Sequence, residues 1–169
     1  LVTGRDEYGT PYPAAFRAFG EYKRPAFVYA AVPSIAIFGP TTWAIRLPGA
    51  IAGTLTIPAI DAVARVLFVN RATGLVAAAS LAVSPWHLQF SRGAREAAFI
   101  TLAVTLLALF LAKGFRATDG PSGPNRLRAT IGWAVGAALA TLLAIYSYPG
   151  GVVFVPLMIA SWAWAWRAR

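Results

Sequence analysis

Asp6 and Glu7 stand next to each other in a chain that holds only 6 acidic residues. Glu21 follows, with Arg5, Arg17, Lys23 and Arg24 interspersed. A second polar block, 85–96, brings His87, Arg92, Arg95 and Glu96. Carboxylates of this kind act as a general base, as ligands for a hard cation or as salt-bridge partners. Lysine and arginine beside them suit a phosphate. A base that activates an acceptor hydroxyl, next to cations that hold a departing phosphate, makes group transfer from a phosphate-bearing lipid. Tyr8, Tyr12, Tyr22 and Tyr148 add phenols to the same polar stretches. Plainer roles fit each residue as well. Asp6 and Glu7 read equally as solvated loop acids, Glu96 as an acid favoured by a helix dipole, His87 as a hydrogen-bonded interfacial residue, and Arg92 and Arg95 as headgroup anchors.

The elements that must position these residues are apolar. Of the 169 residues, 58% are hydrophobic and 12% charged. Soluble domains carry roughly 25% charged residues, so the chain is an integral membrane protein. The net charge of +9 comes from Lys and Arg that flank apolar runs, as membrane topology requires. These cations form no continuous stripe, which excludes a nucleic-acid partner. With 0 Cys and 1 His, disulfides, thiolate catalysis and histidine-rich metal sites are excluded as well.

In chain order, residues 4–25 read as a structured loop. A short helix is expected over 14–19, stopped by Gly20. The apolar run 26–38 reaches about 20 Å as a helix, against a hydrocarbon core of about 30 Å. Pro33 interrupts it, so it is expected to lie at the interface. Spans are expected over 43–69, 72–88, 97–113, 131–148 and 152–166, with the basic stretch 113–130 as a loop. The fold class is all-α, a polytopic bundle of about five spanning helices plus juxtamembrane helices in a first loop, 4–42, and the chain makes one catalytic module. Because 26–38 does not cross, the first block shares a side with Arg46, with 85–96 and with Tyr146–Gly151. The other side carries mainly cations without acidic partners and is read as cytoplasmic. The chain opens on a polar block at Leu1 and stops after an apolar segment, and is expected to be a piece of a longer protein.

Read as strings, RDEYGTPYP (5–13), EYKRPAFVYAAVPSIAIFG (21–39), AIRLPGAIAGTL (44–55), SPWHLQFSRGARE (84–96) and YSYPGG (146–151) resemble the polyprenyl-phosphate-dependent glycosyltransferases of the GT-C superfamily. They are most similar to bacterial members of glycosyltransferase family 39, relatives of the protein O-mannosyltransferases and of the lipid A aminoarabinose transferases. The resemblance implies a sugar donor on polyprenyl phosphate, a hydroxyl acceptor and an active site on the extracytoplasmic face of a bacterial-type plasma membrane. It implies a helix before Leu1 and more helices after Arg169. By position it makes Asp6 the catalytic base with Glu7 beside it, and Glu96 the second acid, which assists at the acceptor or a metal. Lys23 is then the phosphate contact and Arg92 a second one. Arg5, Tyr8, His87 and Tyr148 are substrate-contact candidates. No cofactor is assigned; a divalent metal ion is a candidate, with Glu21 as its ligand candidate. The family pattern Lys-Pro-Pro reads Lys23-Arg24-Pro25 here, and Tyr22 precedes the lysine where the aminoarabinose branch has an acid. Two other classes compete: a transporter or flippase, with Asp61 and Arg65 as its intramembrane ionisable residues, and a non-catalytic assembly subunit.

Overall fold

Apolar segments in lipid must satisfy every backbone polar group internally, and helices do so. The computed structural model, which describes residues 8–18, 21–118 and 124–167, is an all-α bundle preceded by a small hairpin. Its helices are α1 (Pro25–Phe38), α2 (Thr42–Phe68), α3 (Arg71–Val83), α4 (Pro85–Arg92), α5 (Ala97–Thr118), α6 (Pro124–Ser147) and α7 (Gly151–Arg167). Three of them are long and apolar enough to cross a membrane: α2, α5 and α6. Helices α1, α3 and α7 are apolar but shorter.

The short helix expected at 14–19 is instead one arm of a hairpin. Strand β1 (Phe16–Ala18) pairs antiparallel with β2 (Glu21–Lys23), Phe16 opposite Lys23 and Ala18 opposite Glu21. A two-residue connection ending in glycine is a hairpin signal. A helix of one to two turns makes too few hydrogen bonds to outweigh its nucleation cost. The hairpin is pinned to α1. Tyr29 Oη donates to Pro13 O at 2.9 Å, and the Phe16 and Tyr29 rings meet at 5.7 Å.

Helix α1 begins with Pro25 at its first position, where the missing N–H costs nothing. Arg24 before it is extended, ψ 145°, as a residue preceding proline must be. The helix runs through Pro33 without a break, so Pro33 does not interrupt it. Its 14 residues give about 21 Å, short of the hydrocarbon thickness.

The expected span 72–88 is divided in two. Pro85 drives Ser84 out of helical geometry, to ψ 119°. Ser84 then caps the next helix, its Oγ accepting from His87 N at 3.5 Å. Helix α3 has 13 residues, about 20 Å. The expected loop 113–130 is also narrower. Helix α5 continues to Thr118 and α6 begins at Pro124. Gly114 does not stop α5: the space where its Cβ would stand is bounded by Trp133 Cβ at 3.5 Å, and Lys113 Nζ sits 4.7 Å over the Trp133 ring. Arginine is a good helix former and carries the helix on past the apolar region.

Helix α5 is the central strut. It packs against α2 on one side and α6 on the other. Ala52 meets Ala98 and Leu102 across the first contact, while Ala103, Leu107, Ala140, Ala144 and Val155 fill the second. Alanine at these positions lets backbones approach closely, the usual device for holding helices together in lipid.

Candidate active site

The floor of the site is α2. Gly49 and Gly53 stand four residues apart on one face, so the same face twice lacks a side chain. Helix α4 lies in that gap. A Cβ on Gly53 would stand 2.3 Å from Ser91 Cβ, and one on Gly49 would stand 3.1 Å from Gly93 O. His87, 8% exposed, completes the contact, its Nε2 3.1 Å from Gly53 O. A carbonyl only accepts, so Nε2 carries the proton in this bond and Nδ1 of a neutral ring is left as an acceptor.

Gly93 ends α4 in extended geometry, φ −79° and ψ 152°. The chain then bends through Ala94 and Arg95 to Glu96. Glu96 O accepts the first bonds of α5, from Phe99 N at 3.0 Å and Ile100 N at 3.2 Å. Its half-buried carboxylate therefore sits at a helix N-terminus, where the dipole favours negative charge.

From the other side comes the turn between α6 and α7, Tyr148-Pro149-Gly150. It is tight because Gly151 lies on the end of α6. A Cβ there would fall 2.4 Å from Ala144 O, and Gly151 N donates to Tyr148 O at 2.9 Å. The third contributor is β2, which carries Lys23 two residues ahead of α1.

These segments enclose a cavity of about 740 Å³ lined by Lys23, Trp86, His87, Arg95, Glu96 and Tyr148 among others. A second hollow of about 460 Å³ adjoins it and shares Lys23, Glu96 and Tyr148, with Tyr22, Arg24 and Gly150 as further walls. Four residues singled out in the sequence are thus brought together: Lys23, His87, Glu96 and Tyr148. Arg92 is not among the lining residues; it is exposed at the end of α4. Tyr8, 64% exposed, lines neither hollow. Arg5, Asp6 and Glu7 lie outside the described residues, as does the side chain of Glu21. Among the described residues no three His, Asp or Glu side chains form a group fit to hold a metal ion.

The arrangement sets two cationic side chains, Lys23 and Arg95, around one carboxylate and one phenol at the same cavity. Arginine's planar fork suits phosphate oxygens, and lysine adds a point charge. A carboxylate between them can take a proton or orient a hydroxyl. The sequence assigns Trp86 no role and suggests only a headgroup anchor for Arg95. The signal that could have found Arg95 is Gly49-x-x-x-Gly53, which seats α4, together with Gly93, which turns the chain before Arg95.

The family model for dolichyl-phosphate-mannose-protein mannosyltransferases matches residues 23–168. No curated protein matches the chain, and no solved structure does. The chain belongs to that family, which places it among the GT-C glycosyltransferases. It is an integral membrane protein of glycosyltransferase type, and the family implies a lipid-linked sugar donor.

Proposed function

We propose that this protein moves a sugar from a polyprenyl-phosphate-linked donor to a hydroxyl acceptor, on the extracytoplasmic face of a bacterial-type plasma membrane. One observation carries the reading: Lys23, Arg95, Glu96 and Tyr148, from three segments far apart in sequence, line one cavity at one end of the bundle. In the proposed step the acceptor oxygen attacks the anomeric carbon. The bond from that carbon to the phosphate oxygen breaks, polyprenyl phosphate leaves, and the acceptor proton passes to a carboxylate. Asp6 is the proposed base, with Glu7 beside it; Glu96 orients the acceptor. Lys23 and Arg95 hold the phosphate and offset the charge that grows on its leaving oxygen, an effect worth about 10²–10³ in rate per donor at comparable sites. Tyr148 and His87 complete the wall against the sugar.

Membranes carrying the protein, supplied with radiolabelled polyprenyl-phosphate sugar, test this. Asp6→Asn, Lys23→Ala and Glu96→Gln are each expected to lower transfer by about 10²-fold or more, with insertion unchanged. Asp6→Asn with transfer retained removes Asp6 as the base, and all three variants active would remove the reading.

The transporter reading requires an ionisable group that faces a cavity within the spans. Asp61 and Arg65 bond each other instead, through Nε–Oδ1 and Nη2–Oδ2 contacts of 2.8 Å each. Neither lines the 740 Å³ cavity.

A further inference from the structure

At the opposite end of the bundle the C-terminal turns of α2, α5 and α7 converge on a separate hollow of about 110 Å³. Val66, Leu67 and Ala112 supply an apolar wall, Phe115 and Trp162 an aromatic one, and Arg116 a cation. The two rings stack at 5.8 Å with 13° between their planes, and Arg116 is exposed. Arg116 lies twenty residues beyond Glu96 on α5, about 30 Å along the helix. This hollow is therefore remote from the cavity where transfer is proposed.

The charge around it is one-sided. Among the described residues this end carries Arg65, Arg71, Lys113, Arg116, Arg126, Arg128 and Arg167, against the single acid Asp61. Both Asp61 oxygens are engaged by Arg65. Arg65, Arg116 and Arg167 lie in last helical turns, where they offset helix dipoles. Each C-terminus contributes about −0.5 of a charge, and α3 and α6, which begin at this end, return about +0.5 each. The dipoles thus nearly cancel and the field stays strongly positive. A positive rim over an apolar and aromatic wall, at the end of membrane-crossing helices, is the shape of a lipid headgroup site.

We infer that this hollow binds an anionic phospholipid, its phosphate on Arg116 and the adjoining glycerol and acyl carbons against Trp162 and Leu67. The protein is reconstituted into nanodiscs of phosphatidylcholine alone or with phosphatidylglycerol. Lipid adducts are read by native mass spectrometry and stability by thermal unfolding. Phosphatidylglycerol is expected to raise the midpoint and to leave a retained adduct. Arg116→Gln is expected to lose both, while Arg128→Gln, a cation of the same end that does not line the hollow, keeps them. Equal losses for the two variants would make the effect a diffuse basic surface and overturn the site. Stabilisation by millimolar inorganic phosphate in phosphatidylcholine discs, without added gain from phosphatidylglycerol, would make it a free-anion site and overturn the lipid assignment. Should Arg116→Gln fail to insert, Arg116→Lys decides: a weakened adduct supports the forked phosphate contact, and an unchanged one refutes it. None of these readouts depends on transferase activity.

Discussion

Gly53→Ala puts the packing of the site to a test in which two effects have opposite signs. Alanine is the better helix former by about 1 kcal/mol, so an unopposed substitution in the middle of α2 stabilises. The structure opposes it. The new Cβ would stand 2.3 Å from Ser91 Cβ, whereas ordinary contact begins at 3.4 Å. The atom it meets sits at the root of its side chain, so no rotamer relieves the clash. Helix α4 must retreat by about 1 Å, at an overpacking cost of about 1–3 kcal/mol. The retreat also stretches the bond from His87 Nε2 to Gly53 O, now 3.1 Å, worth about 1 kcal/mol. After the gain in propensity is subtracted, the net loss is about 1–3 kcal/mol.

The same retreat moves the cavity wall that carries Trp86, Arg95 and Glu96, and a shift of that size can cost about 10² in rate. Thermal unfolding of the reconstituted protein, followed by tryptophan fluorescence, measures the first effect, and the sugar-transfer assay the second. Ser91→Gly supplies the partner for a double-mutant cycle. It removes the clashing atom and leaves Ser91 Cα, 3.5 Å away, in ordinary contact. The pair is expected to recover at least about 1 kcal/mol relative to the sum of the single losses. A Gly53→Ala protein as stable as the parent, or losses that simply add, would refute the claim that α4 is seated on this glycine.

Other glycines extend the same logic. Gly74→Ala should destabilise by about 1–3 kcal/mol, because its Cβ would meet Asp61 Oδ1 at 2.5 Å and Asp61 O at 2.9 Å; thermal unfolding reads it, and a rise in midpoint would count against the α2–α3 contact. Gly132→Ala on α6 is the control. Nothing lies within 4 Å of its Cβ, so the propensity gain of up to about 1 kcal/mol should appear as a higher midpoint in the same measurement. Ser34→Ala should cost about 1–3 kcal/mol by leaving a buried carbonyl without a donor. In a Pro48→Ala background, where the helix supplies that donor itself, the cost should shrink, and an unchanged cost would rule the explanation out.

The bundle was legible because the length of an apolar run is a direct measure of what it can cross, and α2, α5 and α6 stand where long apolar runs do. The shortness of the helix over 26–38 was legible for the same reason. What periodicity did not show were places where one residue overrides a trend. Residues 16–18 and 21–23 pair as a hairpin, and Pro85 divides 72–88. Arg92 is the informative case. On a helix continued to Glu96, Arg92 would stand on that residue's face, four positions away. Gly93 adopts extended geometry, the spacing rule stops applying, and Arg95 lines the cavity instead. The placement of Glu96, by contrast, needed only the observation that an acid before an apolar run sits at a helix start.

Helix α2 explains how the cavity is assembled from segments so distant in sequence. Pro48 lacks an N–H, so the carbonyl of Ala44, fully buried, has no helical donor. Ser34 Oγ of α1 lies 2.7 Å from it and also 2.9 Å from Ala31 O. Ala31 O already faces a helical donor at Ile35, so the single hydroxyl proton is worth more on Ala44. About two and a half turns further along α2, Gly53 O accepts from His87 and the two glycines admit α4. A proline and two glycines, all poor helix residues by propensity, thus give α2 a bare carbonyl at Ala44 on one face and gaps at Gly49 and Gly53 on another. Helix α1 docks on the first and fixes Lys23, and α4 docks on the second and fixes Arg95 and Glu96. The positions that weaken α2 as an isolated helix are the ones that bring the cations and the carboxylate to one cavity.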